Sequence, residues 1–284
     1  MNQEPLDKFK RVKAGWRRWW PVMLAVSLVT VLSCQTTPVG RRQLALVPSH
    51  QMSLMGAEAF ANLKETMEIE DDPTLLTYIN CVSSALIKNV EGTTDWEVVL
   101  FREDSANAFA LPGGKIGVHT GMLEVAENQH QLAAVLGHEI AHVISNHANE
   151  RISENFVVEG GLAIVAATLR NRESPSYKLL MAALGLGAQF GIILPHNRRQ
   201  ETEADVIGLD LMATAGFEPK QSLKLWANMA EKGGAGIPEF LSTHPSHGTR
   251  SQTLERNMPR ALQLYEAAVT RPTCAPNDSG SQTN

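Results

Sequence analysis

A chain of 284 residues, 43% apolar and 19% charged, is long enough to enclose one large core or two small ones. Its formal net charge is −5, and no long basic block lies outside the amino terminus, so nucleic acid is excluded as a natural partner. The basic residues that do cluster, Lys8, Lys10, Arg11, Lys13, Arg17 and Arg18, precede a mostly apolar run from Trp19 to Leu32. That run is shorter than the roughly 20 residues of a membrane-spanning helix and suits the core of a signal peptide. It ends in Val31-Leu32-Ser33-Cys34, which resembles a bacterial lipobox with cleavage before Cys34 and lipid on the new terminal cysteine. Gln35 follows rather than Asp, so no inner-membrane retention signal is present. The reading is a signal peptide over 1–33, a lipidated tether over 34–47 and a position on the periplasmic face of the outer membrane. An uncleaved anchor is the competing reading. With Cys34 lipidated, Cys81 and Cys274 remain as an even pair in an oxidising compartment. They are expected to form a disulfide that pins the carboxy-terminal segment to an early helix.

Further along, Ser49 is expected to cap a first helix. Asp72-Pro73 opens a second, carrying Leu75, Leu76, Ile79, Val82, Leu86 and Ile87. Trp96–Phe101 reads as a strand, and Phe109–Leu111 with Ile116–His119 flank Pro112-Gly113-Gly114-Lys115 as a hairpin. From a cap at Asn128, Leu132, Val135, Leu136, Ile140, Val143 and Ile144 recur at helical steps, which predicts a helix with one buried face.

On that helix stands His138-Glu139-Ile140-Ala141-His142. Residues four apart lie about 40° apart around the axis, so both imidazoles project from one face and can hold zinc, with Glu139 placed to take a proton from water. His147, about 140° around from His142, cannot join them while the helix continues and is read as solvated or as backing the ligands. A metzincin would need a glycine turn and a histidine where Ser145 and Ala148 stand. The apolar stretches Gly160–Leu169 and Leu179–Leu194 are read as buried or membrane-adjacent. Arg199 to Asp205 then opens another helical run, in which Glu201 and Asp205 share a face and Glu203 points away. One carboxylate there is a candidate third ligand, with Asp205 accepting from a ligand histidine. Gly216 and Pro219 separate two further helices, Gly233 to Gly236 is a connection, and Ser251 to Val269 is a last helix. The tail, 271–284, is expected to be disordered.

These motifs together resemble the zinc metallopeptidase family that contains HtpX, the CAAX prenyl proteases, the mitochondrial Oma-type peptidases and periplasmic members such as BepA and LoiP. The matching segments are His138-Glu139-x-x-His142, Glu201-x-x-x-Asp205, Leu241-Ser242-Thr243-His244-Pro245-Ser246 with Arg250 six residues after the histidine, and Asn107-Ala108-Phe109-Ala110-Leu111-Pro112-Gly113-Gly114. The resemblance implies an α+β, mainly helical, zincin-like domain over 48–270, with a small sheet beside the active-site helix. It selects Glu201 over Glu203 as third ligand to one zinc per chain, and puts His244 and Arg250 near substrate or the reacting carbonyl. The implied function is a zinc endopeptidase of the bacterial envelope acting on unfolded or outer-membrane proteins. The alternative is a chaperone-like outer-membrane assembly factor whose protease is latent, His244 filling the open metal position.

Overall fold

The computed structural model describes residues 34–92, 94–157, 178, 180–186, 197–232, 239–244 and 250–274. The expected signal peptide over 1–33, the stretch 160–169, most of 179–194, the connection 233–236 and the tail from 275 lie outside the described residues.

Two hydrophobic cores are divided by a three-stranded sheet. Its strands are β3 (Glu97–Phe101), β4 (Ala108–Leu111) and β5 (Lys115–His119), in the order β3-β5-β4, with β5 parallel to β3 and antiparallel to β4. Successive side chains on a strand point to opposite faces. Leu100, Ala108, Ile116 and Val118 therefore enter the larger core, and Phe101, Phe109 and Leu111 the smaller one. Gly117 opposes Phe109, whose ring lies where a Cβ would stand, 2.2 Å from its nearest atom.

Helix α1 (Ser49–Thr66) covers the second face with Met52, Met55, Gly56, Ala59, Phe60 and Leu63, a stripe at helical spacing. Ser49 does not cap it. The first helical bond runs from Met52 N–H to the Pro48 carbonyl, so Pro48 takes the cap position and Ser49 is already inside the helix. Helix α2 (Pro73–Ile87) is capped by Asp72, which accepts from Thr74 N–H. The short α3 (Thr120–Val125) leads to α4 (Gln129–Ile144), capped by Asn128 through His130 N–H and Gln131 N–H. Every residue of α4 from Gln131 to His142 is buried, so the expectation of a single buried face is corrected. Neighbours on all sides explain it: α2, strand β4, α6 (Arg198–Thr214) and α7 (Gln221–Lys232) surround this helix. Helices α5 (His147–Val157), α8 (Glu239–Thr243) and α9 (Arg250–Ala267) complete the mainly helical α+β fold, with a short π-helical turn at Ala182–Leu186.

The segment read as a tether is ordered from Cys34. Strands β1 (Cys34–Thr36) and β2 (Arg42–Leu44) form an antiparallel hairpin whose turn uses Gly40 at φ 83°. Side-chain bonds fasten it to the α4–α5 corner: Gln43 Nε2 donates to the Ser145 carbonyl at 2.7 Å and Asn149 Nδ2 to the Val47 carbonyl at 2.7 Å. Cys81 and Cys274 are disulfide-bonded with Cα atoms 5.6 Å apart, so the carboxy-terminal segment is ordered to Cys274 rather than free from Arg271.

Candidate metal centre

Helices α4 and α6 approach so closely that neither tolerates a side chain at the crossing. A Cβ on Gly208 would lie 2.8 Å from the His138 nitrogen, and one on Gly137 would lie 2.9 Å from the Gly208 carbonyl oxygen. Glu201, Asp205 and Gly208 recur at i, i+4 and i+7 and share one face of α6. Contact at Gly208 therefore brings both carboxylates against the two histidines of α4.

His138, His142, Glu201 and His244 each offer a donor atom, and the four lie within 4.8 Å of one another, all buried. His138 Nε2 is 3.0 Å from His142 Nε2 and 3.5 Å from Glu201 Oε2, and His142 Nε2 is 3.4 Å from Glu201 Oε1. A tetrahedral site with bonds of about 2.0–2.1 Å needs donors about 3.3 Å apart; the two imidazoles stand near that spacing and each has one oxygen of the Glu201 carboxylate near it, so the residue types and their clustering fit zinc. His244 Nδ1 sits 3.3 Å from His138 Nε2 and 3.1 Å from Glu201 Oε1, near enough to be a fourth donor. Glu139 is buried, its Oε1 is without a hydrogen-bond partner among the described residues, and that oxygen is 3.5 Å from His244 Nε2. Burial pushes the Glu139 carboxyl up and the His142 ring well down. Burial also opposes charge on Glu201, but His244 and hydrogen bonds from the three imidazoles outweigh it and hold this carboxyl well below its usual range.

Around the donors, Asp205 Oδ1 lies 3.0 Å from His138 Nδ1, in reach but not aligned for a full hydrogen bond. Arg250 Nε donates to Asp205 Oδ2 at 2.8 Å, Nη2 pairs with Glu201 Oε2, and the guanidinium stacks on Trp226 with Cζ 3.9 Å from the ring centroid. Arg250, expected near substrate or the reacting carbonyl, pairs with the two carboxylates of α6 beside the histidines. Phe240 stacks on the His244 ring, with centroids 4.4 Å apart. His147 is fully buried rather than solvated, and its Nδ1 faces His142 Nδ1 at 2.8 Å. Helix α4 ends at Ile144, where its apolar periodicity stops; Asn146 turns at φ 54°, and α5 restarts at His147 with the ring directed back to the site. Glu203 does point away from Glu201, yet it is buried, accepting from His147 Nε2 at 3.1 Å and from Arg41 Nε at 2.7 Å.

A cleft of about 390 Å³ opens beside His142 and is lined by Val143, Asn146, Ala110, Pro112 and Gly113. Strand β4 is an edge of the sheet. The His119 N–H bonds the Asn107 carbonyl at 3.0 Å, which fixes the phase of the ladder. Asn107, Phe109 and Leu111 face β5, while Ala108 and Ala110 direct N–H and C=O to the opposite edge. Sequence reasoning missed Trp226, Phe240, Gly137, Gly208 and Arg41. A glycine within each ligand-bearing helix was the one available signal; nothing local marks the other three.

The model for "Peptidase family M48" matches residues 77–258, which include all four donors. The mitochondrial metalloendopeptidase OMA1 of Schizosaccharomyces pombe is 39% identical over 200 residues, covering 69% of this chain and 56% of the relative. Human OMA1 is 30% identical over 297 residues, covering 96% and 56%. The beta-barrel assembly-enhancing protease of Escherichia coli is 28% identical over 202 residues, covering 67% and 40%. The chain thus spans about half the length of the curated relatives it matches.

Proposed function

The chain belongs to peptidase family M48, whose metal is zinc, and from that premise we propose that it is a zinc-dependent endopeptidase of the bacterial envelope acting on misfolded or outer-membrane proteins. One observation carries the reading: three buried donors gathered closely enough to share one ion, with a buried carboxylate, Glu139, beside them. His138, His142 and Glu201 hold the metal. Zinc, when bound, polarises the scissile carbonyl and acidifies water. Glu139 takes a proton from the attacking water and returns it to the leaving nitrogen. An extended substrate pairs with Ala108 and Ala110 on the edge of β4, along the cleft that reaches His142. Asp205 and Arg250 keep the ligands oriented.

Lipid on Cys34 would hold the protein at the periplasmic face of the outer membrane. The lipobox-like Val31-Leu32-Ser33-Cys34 supports this. Because Cys34 already pairs with Leu44, such an anchor would join the membrane to the folded body without slack. Among the described residues no helix is long and apolar enough to cross a membrane.

A second reading is favoured by His244 standing among the donors: an assembly factor that binds client proteins while its protease is latent, the imidazole taking the metal position that water would otherwise enter. One experiment addresses both. Zinc per chain and cleavage of an unfolded protein are measured for wild type, Glu139→Gln and His244→Ala. The endopeptidase reading expects about one zinc in the wild type, and in Glu139→Gln retained zinc with a loss of at least about 100-fold in cleavage. Near-normal turnover in Glu139→Gln would reject Glu139 as the base. Cleavage that appears only in His244→Ala, with client binding intact in Glu139→Gln, would establish the latent form.

A further inference from the structure

We propose that Arg41, Glu203 and His147 form a positioning line that fixes the tautomer of His142 and thereby sets how tightly the chain holds its metal. The inference rests on the zinc reading above. His142 Nε2 is the nitrogen among the donors, so Nδ1 faces the other way, 2.8 Å from His147 Nδ1. Two ring nitrogens at that distance share one proton, one donating and the other accepting. If His142 carries the proton on Nδ1, its Nε2 lone pair is free for a metal. If His147 donates instead, the His142 proton moves to Nε2 and blocks the site.

Glu203 decides between these two directions. A carboxylate only accepts, and Glu203 Oε2 lies 3.1 Å from His147 Nε2. His147 must therefore hold its proton on Nε2, which leaves Nδ1 as the acceptor for His142. The reverse assignment would set two lone pairs against each other in a buried place, since His147 is fully buried and Glu203 nearly so. Arg41 keeps the carboxylate in position: Nε donates to Glu203 at 2.7 Å, while the two terminal nitrogens grip Glu150 at 2.5 and 2.8 Å. Glu150 is held in turn by Gln200 Nε2 at 2.7 Å. A residue of the amino-terminal hairpin thus acts on a ligand through two intermediates, in the place where metal-bound histidines usually meet a carboxylate directly.

The test separates a proton acceptor from mere bulk. In His147→Asn the amide oxygen stands where Nδ1 stood and still accepts from His142. In His147→Gln the amide reaches the Nε2 position and Glu203 but withdraws the ring nitrogen that His147 offers to His142 Nδ1. Zinc affinity of the full chain is measured by competition with a chromophoric chelator, alongside the ring-nitrogen spectrum of His142 by NMR. His147→Gln is expected to bind zinc about 10–100-fold more weakly, with His147→Asn recovering most of that loss. The His142 ring should be the Nδ1–H form in wild type and His147→Asn and a mixture in His147→Gln. Arg41→Ala should weaken zinc in the same direction and add little to His147→Gln, because both act through one line. Wild-type zinc with equal affinities in the Asn and Gln variants, whether both normal or both weak, would overturn this inference alone. A wild type that takes up no zinc would overturn the reading of the site itself, and this inference with it.

Discussion

Gly137 and Gly208 show what a single missing side chain does for the site. Helix interiors disfavour glycine by about 1 kcal/mol relative to alanine, so Gly208→Ala ought to stabilise α6 if propensity alone counted. The structure predicts the opposite, because the added Cβ meets backbone, the His138 nitrogen at 2.8 Å and the Gly137 carbonyl carbon at 2.9 Å, and neither can swing aside. Overpacking of this kind typically costs about 1–3 kcal/mol. Relief requires α4 and α6 to part by a few tenths of an ångström, which moves Glu201 and Asp205 away from the histidines. Gly208→Ala should therefore lower the urea midpoint and weaken zinc binding together; a more stable variant with unaltered zinc affinity would refute the argument. The histidine pair and Glu139 were legible because their relation lies within five residues of one helix. The choice of Glu201 over Glu203 came only from family resemblance. A glycine inside a helix at 208 was visible as an anomaly, but its reason lies on another helix and could not be read from the sequence.

At the scale of elements, boundaries explain most of what sequence reasoning misjudged. His147 was set aside as a ligand on the condition that α4 continues, and left as solvated or backing the ligands; Asn146 adopts a left-handed φ that ends the helix, and His147 backs His142. Asparagine just past a periodic run is itself a stop signal, so this correction was available in the sequence. The β1–β2 hairpin was not: strands of three residues carry no readable alternation, and Arg41 finds its partners at Glu150 and Glu203, far along the chain. The α1–α2 connection was likewise silent, yet it is stitched to β3. Glu70 N–H donates to the Leu100 carbonyl at 2.9 Å, and the Glu70 carboxylate accepts from Arg102, Asp71 N–H and Asp72 N–H. The hydrogen bonds from Arg102 and then from Asp72 lower this carboxyl from 4.5 to about 2. A depressed folded value means a contribution fully present above the unfolded pKa and lost as pH falls through the folded one. Glu70→Gln should accordingly be less stable than wild type at pH 7, with the gap narrowing from pH 4.5 and closing near pH 2. Urea titrations of both proteins across that range test it, and a gap independent of pH would assign the loss to packing instead.

Across the whole molecule, the two ends of the described chain converge on the two ends of α4. At its carboxy-terminal end the hairpin holds the corner through Gln43 and the Ser145 carbonyl. At its amino-terminal end Gln129 grips the carboxy-terminal segment, donating to the Pro272 carbonyl at 3.0 Å and accepting from Cys274 N–H at 2.5 Å. The same segment passes so close to Gly216 that a Cβ there would lie 2.0 Å from the Thr270 carbonyl oxygen. The Cys81–Cys274 bridge then ties it to α2 across a sequence separation of 193 residues. Closing so long a loop restricts the unfolded chain, and removing a native bridge typically costs about 2–5 kcal/mol. The bridge lies beyond Asn128 and Gln129, at the far end of α4 from His142, and touches none of the donors. Replacing both cysteines by alanine should therefore lower stability by about 2–4 kcal/mol while zinc per chain stays at the wild-type level. Denaturant titration with metal analysis on the same samples reads both quantities. Stability unchanged by the replacement would mean that the Gln129 bonds and the fit over Gly216 hold the segment alone; zinc lost with the bridge would mean that α4 is positioned from its amino-terminal end as much as by its crossing with α6.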